Sequence, residues 1–191
     1  MSKGRLEAFS DAIIAIVMTI MVLELAPPAG GNLASLASLL PKVLAYALSF
    51  LILAIYWVNH HHLFQAVQRV NGAILWANMH LLFWLSLVPV VTAWAGDNGS
   101  VRVPVAVYGV VLILAAVAYF ILVRALLAAH GADSALASAI GRDTKGKLSL
   151  LLYALAIPAS FVSPFIGWAL YTVVALGWLV PDRRIENTLS R

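Results

Sequence analysis

Six long apolar segments make up most of the 191-residue chain. Each is close in length to the about 20 residues that an α-helix needs to cross a hydrocarbon core of about 30 Å. Hydrophobic residues form 63% of the sequence and charged residues only 10%, which is outside the range of soluble globular proteins. The sequence therefore predicts an all-α, polytopic membrane protein with a single six-helix transmembrane domain over residues 1–191. The predicted spans are roughly 5–26, 39–60, 72–95, 104–127, 147–163 and 164–181.

Prolines and glycines mark the ends of these segments. Pro27 and Pro28 follow the first span, and a glycine-rich turn over 96–99 separates the third from the fourth. Pro89 predicts a kink inside the third span. Ser163 and Pro164 form the predicted hinge between the last two spans, although one long kinked segment fits the hydropathy equally well.

Positive charge is distributed unevenly over the predicted loops. Lysine and arginine accumulate on the cytoplasmic side of membrane proteins. Placing the N-terminus inside leaves only Lys42 and Arg102 of the 12 basic residues outside. An even number of spans then predicts a cell-membrane protein with both termini cytoplasmic, and the net charge of +4 indicates topology rather than a nucleic-acid patch. The basic residues predicted to be inside are Lys3, Arg5, Arg69, Arg124, Arg142, Lys145, Lys147, Arg183, Arg184 and Arg191.

The first span opens with a polar motif. Arg5, Phe9, Ser10 and Asp11 form the pattern Arg-x-x-x-Phe-Ser-Asp, which leads directly into an apolar run. Charged and polar side chains are costly at the mouth of a membrane span and are usually retained there for a function. The motif is therefore the first candidate for a functional site.

One face of the first span carries a regular stripe. At 100° per residue, Phe9, Ala12, Ile16, Thr19 and Leu23 lie within about 80° of one another, with the spacing of a close-packed helix seam. Periodicity alone favours a contact inside the subunit. The alternative is a stripe that faces a symmetry axis, with the carboxylate at position 11, about 140° from Ile16, turned back towards its own bundle.

The motif resembles the signature of the transmembrane protein 175 family of lysosomal and endosomal potassium channels, in its shorter bacterial branch. That resemblance implies six spans per subunit, a homotetramer, and a first helix that lines the ion path. It also implies a narrow apolar constriction at Ile16, a hydroxyl layer at Thr19 and a second apolar layer at Leu23. A ring of isoleucines sheds water readily and would act as a gate, and a permeant K⁺ would meet the threonine hydroxyls. Because the sequence has no Thr-Val-Gly-Tyr-Gly filter loop, selectivity is expected to come from side chains.

The second and third spans carry further polar residues that match the family pattern. Trp57 and His60 have its Trp-x-x-His spacing, and Asn78 opens an Asn-x-x-x-Leu-x-x-x-Ser-x-x-Pro run. A buried Asp11 would need hydrogen-bond donors, and we expect His60, Trp57, Ser10 and Arg5 to supply them. This network would set the rotation of the first helix.

Metal binding is not expected. The consecutive histidines His60, His61 and His62 diverge by 100° on a helix, whereas a helical metal pair needs a spacing of three or four residues. The chain also contains no cysteine, which excludes disulfides and thiolate sites. The expected partners are copies of the chain itself, membrane lipid and K⁺, with no cofactor and no nucleic acid.

Two other functional classes compete with a channel. A secondary transporter normally shows paired repeats or a charge at the membrane midplane, and neither is visible in this sequence. An intramembrane enzyme needs a nucleophile or a metal set, and no defensible triad occurs. The sequence therefore favours a passive potassium channel that is not an enzyme.

Overall fold

The long apolar segments of the chain are helices in the part that the structure describes. The computed structural model describes residues 2–28, 30–131, 137 and 143–179. The predicted locations of Arg142, Arg183, Arg184 and Arg191 lie outside these residues, as does the end of the last predicted span. We label the helices with described bounds as α1 (Lys3–Leu23), α2 (Leu33–Ser38), α3 (Leu40–Gln65), α4 (Gly72–Ser86), α5 (Val88–Asp97), α6 (Arg102–His130), α7 (Thr144–Val162) and α8 (Pro164–Leu179).

These helices follow the six apolar segments of the sequence. α1, α3, the pair α4–α5, α6 and α7 are each long and apolar enough to cross a membrane, and α8 is a shorter apolar helix of 16 residues. The prediction of an all-α polytopic membrane protein is confirmed. The boundaries differ from the expected ones, because α1 ends three residues earlier and α3 continues to Gln65. The short helix α2, which Asn32 caps by accepting from the Ser35 N–H, was not predicted.

Prolines divide the third span and separate the last two. The third span breaks at Leu87, and Pro89 lies in the first turn of α5. Proline has no N–H to donate to the Leu85 carbonyl, so one continuous helix through this position would lack that hydrogen bond. α7 and α8 are separate helices joined by Ser163, whose backbone is extended. They run antiparallel, since the Trp178 indole N–H donates to Ser149 Oγ at 2.9 Å, near the start of α7 and the end of α8.

The helices form one bundle with α1 at its edge. The buried face of α1 contacts α3, α4 and α5, while α6 lies behind α4 and supports the α7–α8 hairpin. At one end of the bundle, Lys3 Nζ donates to the Gln65 carbonyl at 3.4 Å. At the opposite end, Lys42 pairs with Asp97, and the Trp168 indole donates to the Gly99 carbonyl at 3.1 Å. The start of α1, the end of α3 and the start of α4 therefore share one end.

Candidate ion pathway and its supporting network

The predicted stripe of α1 faces out of the subunit. Its members Phe9, Ala12, Ile16, Thr19 and Leu23 are all exposed, with Ile16 at 54% and Leu23 at 79% of full exposure. The interpretation of this stripe as a contact inside the subunit, which periodicity alone favoured, is wrong. The core is contacted instead by the opposite face of α1, which buries Leu6, Ser10, Ile14, Val17 and Met21.

Thr19 presents hydroxyl lone pairs to the outside. Its Oγ1 donates to the Ile16 carbonyl at 2.9 Å, which uses the only proton of the hydroxyl. The two lone pairs of Oγ1 remain available as acceptors on the exposed face. Along the axis, Thr19 lies about 4.5 Å from Ile16 and about 6 Å from Leu23, so apolar, hydroxyl and apolar side chains alternate in layers.

A buried polar triad ties α1 to α3 and α4. Asn78 Nδ2 donates to Ser10 Oγ at 2.9 Å, and Ser10 Oγ donates in turn to the Leu6 carbonyl. His60 Nε2 lies 2.9 Å from Asn78 Oδ1, which can only accept, so His60 Nε2 carries the proton. The side chains of Ser10, Asn78 and His60 are almost completely buried. All three polar groups are therefore satisfied inside the bundle.

Asp11 belongs to a different contact. The Trp57 indole N–H donates to Asp11 Oδ1 at 3.0 Å, and the carboxylate is partly exposed rather than buried. His60 and Ser10, which we expected to bond to Asp11, bond to Asn78 instead. Residues 10 and 11 point about 100° apart on a helix, so Ser10 faces α4 while Asp11 faces α3. Arg5 is exposed and makes no ion pair with any residue that the structure describes.

The neighbouring histidines do not converge on a metal. Gln65 Nε2 donates to His61 Nε2 at 2.9 Å, and the His61 ring stacks on Trp57 with ring centroids 6.1 Å apart. His62 Nδ1 is buried without a hydrogen-bond partner in the described ranges. No cluster of three or more metal-ligating side chains occurs among the residues whose structure is described.

Buried hydroxyl groups form a second polar cluster, which the sequence does not predict. Thr92 Oγ1 donates to Ser49 Oγ at 2.7 Å, and Ser49 Oγ lies 2.8 Å from the Tyr108 hydroxyl. These buried contacts join α5, α3 and α6. Hydroxyl residues occur in every part of the sequence, so only the register between helices could have revealed this cluster.

A cavity of the subunit lies away from the α1 stripe. It holds about 60 Å³ between α3, α6, α7 and α8, and aromatic side chains that include Tyr56, Tyr119, Tyr153 and Trp178 line it. None of its lining residues belongs to α1. The cavity and the exposed stripe are therefore separate features of the subunit.

Comparison with known proteins places the motif and the fold in one group. A family model described as the endosomal/lysosomal potassium channel TMEM175 matches residues 5–89, which include every candidate site residue. The chain is 53% identical over 190 residues to a potassium channel of Chryseobacterium sp. strain P1-3, with 100% of this chain and 99% of that protein covered. A potassium channel of Streptomyces collinus is 33% identical over 185 residues, with coverages of 91% and 90%.

A solved structure has the same fold. The crystal structure of a lysosomal potassium-selective channel TMEM175 homolog from Chamaesiphon minutus superposes with a TM-score of 0.82 at 31% sequence identity. The match covers 93% of this chain and 96% of that one. The similarity therefore extends over the whole bundle and is not limited to the motif.

Proposed function

This chain belongs to the TMEM175 family of potassium channels, and on that premise we propose that it conducts K⁺ passively through a pore lined by α1 of four identical subunits. The observation that carries the proposal is the outward stripe of α1. Phe9, Ala12, Ile16, Thr19 and Leu23 are exposed in the subunit, whereas the opposite face of the same helix is buried. A single lining helix cannot enclose a pore, so the pathway requires cyclic symmetry, which turns each position into a ring of identical side chains.

The outward face of α1 contains small residues, which would let four copies of the helix approach one axis. Small residues, Ala8, Ala12 and Ala15, are interspersed with Ile16 and Thr19 on this face. Small side chains let helices approach closely.

Three layers of the stripe would have distinct tasks. A ring of Ile16 side chains forms an apolar constriction, from which water leaves when the passage narrows. The Thr19 ring, one helical turn further along, offers oxygen lone pairs to a K⁺ that has lost part of its hydration shell, as its hydroxyl proton is already used. Leu23 forms a second apolar layer towards the other end of the pore.

The polar contacts would hold α1 at the rotation that this pathway needs. Ser10 is bound to Asn78 on α4, and Asp11 is bound to Trp57 on α3. Two attachments about 100° apart on the helix resist rotation in both directions. Their role is therefore to position Ile16 and Thr19 and not to contact the ion.

The membrane orientation follows from charge. Lys3 at the start of α1, Arg69 after α3 and Arg124 near the end of α6 lie at one end of the bundle, where the Gln68 N–H also donates to His130 at 3.1 Å. Basic residues accumulate on the cytoplasmic side. This end would accordingly face the cytoplasm in the cell membrane.

Reconstitution tests the proposal directly. The purified protein should have the mass of a tetramer, and liposomes containing it should lose K⁺ down its gradient without a coupled substrate. Empty liposomes and liposomes containing an unrelated membrane protein are the controls. Vesicles that remain tight to K⁺ although intact tetramer is present in them would refute conduction, and a monomeric protein would refute the shared pore.

A further inference from the structure

His80 is a polar residue on a face of α4 that no part of the described bundle covers. It is exposed, between the exposed side chains of Trp76 and Phe83. The Trp84 indole N–H donates to His80 Nε2 at 2.9 Å. Since an indole only donates, Nε2 is unprotonated and the imidazole carries its proton on Nδ1. Nδ1–H has no partner among the residues that the structure describes, and such a group is costly to leave against lipid.

Asp11 has an unused acceptor. Its Oδ1 takes the hydrogen bond from Trp57, and no described side chain donates to Oδ2. Each oxygen of an ionised carboxylate can accept hydrogen bonds, so Oδ2 can take a donor from outside the subunit. Asp11 is partly exposed on the flank of the subunit that α3 forms, with the exposed ring of Trp57 beside it.

The two residues lie at the same depth. α1 and α4 run in the same direction, and the hydrogen bond between Ser10 and Asn78 sets their register. Counting along each helix, His80 is level with position 12 of α1, within about 1.5 Å of the level of Asp11. Inside one subunit they occupy opposite flanks, because His80 points about 200° away from Asn78, which faces α1.

A cyclic tetramer brings opposite flanks together. Each subunit in such a ring meets one neighbour through one flank and the other neighbour through the opposite flank, in a heterologous contact. The α3 flank of one subunit therefore adjoins the α4 flank of the next. We propose that His80 of each subunit donates its Nδ1–H to Asp11 Oδ2 of the adjacent subunit, an inference that rests on the proposed tetramer. The partner of this face is thus a second copy of the chain, and its chemistry is complementary: an imidazole donor meets a carboxylate acceptor.

Cross-linking tests the contact without background, because the chain contains no cysteine. Subunits with Asp11→Cys and subunits with His80→Cys, carrying different affinity tags, are co-expressed and oxidised in the membrane. We expect a disulfide that joins the two tags. The matched control pairs Asp11→Cys with Leu151→Cys instead of His80→Cys. Leu151 is exposed on α7, about as far from the start of its helix as His80 is from the start of α4, and should not cross-link.

The outcomes separate this inference from the proposed function. A tetramer of correct mass that shows no cross-link between positions 11 and 80 overturns the contact and leaves the channel proposal intact. Absence of any tetramer refutes the proposed function itself. In a chain carrying both cysteines, an internal disulfide within monomers would also overturn the inference, whereas a ladder up to the tetramer supports it.

Substitutions that keep the shape of the side chains provide an independent measurement. Asp11→Asn and His80→Gln should each lower the detergent concentration at which half of the tetramer dissociates. In the double variant this midpoint should be no lower than in the less stable of the two single variants. If His80 faces lipid, His80→Gln will leave that midpoint unchanged, which overturns the contact. Additive effects of the two substitutions would overturn it as well.

Discussion

Asn78 donates its side-chain amide to Ser10 across 2.9 Å in the buried seam between α4 and α1. The oxygen of the same side-chain amide accepts from His60 Nε2 on α3 at 2.9 Å. A single asparagine therefore connects three helices at one depth. A second hydrogen bond, from Trp57 on α3 to Asp11, holds α1 from another side.

Removal of this amide should destabilise the subunit. Asn78→Ala leaves the protonated nitrogen of His60 without an acceptor and removes the donor to Ser10 Oγ, which keeps only its bond to the Leu6 carbonyl. A buried polar group that is left unsatisfied costs about 1–3 kcal/mol. We expect a lower melting temperature in detergent, measured by tryptophan fluorescence. Asn98→Ala is the control, because Asn98 is on an exposed turn and donates only to the Trp94 carbonyl. Equal effects of the two substitutions would contradict the structural role of the triad.

Widening the constriction should increase conduction. Ile16→Asn replaces a ring of branched alkyl groups with amides that hold water, so the apolar barrier disappears and the single-channel conductance rises in planar bilayers. Ile121→Asn, at a site on α6 with 41% exposure, is the matched control and should conduct like the unchanged protein. Unaltered conductance and selectivity in Ile16→Asn would move the constriction to another position.

Loss of the threonine layer should weaken selectivity. Thr19→Val keeps the volume of the side chain but removes the oxygen that would replace part of the hydration shell of K⁺. The ratio of potassium to sodium permeability should fall severalfold, read from the reversal potential under bi-ionic conditions. Thr172→Val serves as the control, since Thr172 makes a similar bond to the Trp168 carbonyl on α8, far along the chain from α1. A reversal potential that does not move removes Thr19 from the mechanism.

Asp11 should matter more for assembly than for selectivity. Asp11→Ala frees the Trp57 indole and loosens the attachment of α1 to α3. The tetramer should therefore dissociate at a lower detergent concentration, with a smaller change in the reversal potential. Glu7→Ala, which removes a carboxylate that pairs only weakly with Lys3 at 4.0 Å, is the control. If Asp11→Ala abolishes selectivity and the tetramer remains intact, the carboxylate lies in the conduction path.

Gly109 should tolerate no side chain. A Cβ at this position would overlap the Tyr171 hydroxyl, which donates to the Val105 carbonyl at 3.1 Å. Gly109→Ala should cost about 1–3 kcal/mol of stability through this clash. Adding Tyr171→Phe removes the clashing oxygen and should recover part of the loss in a thermal melt. Gly177→Ala, where nothing lies within 4 Å of the new Cβ, should be neutral.

The apolar segments predicted the transmembrane helices because a long run of hydrophobic residues has few other stable environments. The ends of the helices were predicted less well. α3 continues through His60 and His61 to Gln65, since helical hydrogen bonding does not stop where the apolar run stops. Pro89 correctly predicted an irregularity in the third span, and the break falls at Leu87, two residues before it.

The polar residues of the site were predicted as a set, but their pairing was not. Trp57 was expected to be a donor to Asp11, and it is. His60 and Ser10 were expected to bond to the same carboxylate, and both bond to Asn78. Pairing depends on the rotation and register of three helices, and a shift of one residue turns a side chain by about 100°. The sequence of each helix contains no record of the rotation of its neighbours.

The sequence by itself determined that the chain is a helical membrane protein, and its motif indicated the family. It also placed Phe9, Ala12, Ile16, Thr19 and Leu23 on one stripe of α1. Only the tertiary structure decided that this stripe faces outward while Leu6, Ser10 and Ile14 face the core. The physical reason is that lipid is as apolar as a protein interior, so hydrophobicity does not distinguish the buried face of a membrane helix from the outer one. The choice is made by shape and by polar contacts such as that between Ser10 and Asn78, which form only when the helices come together.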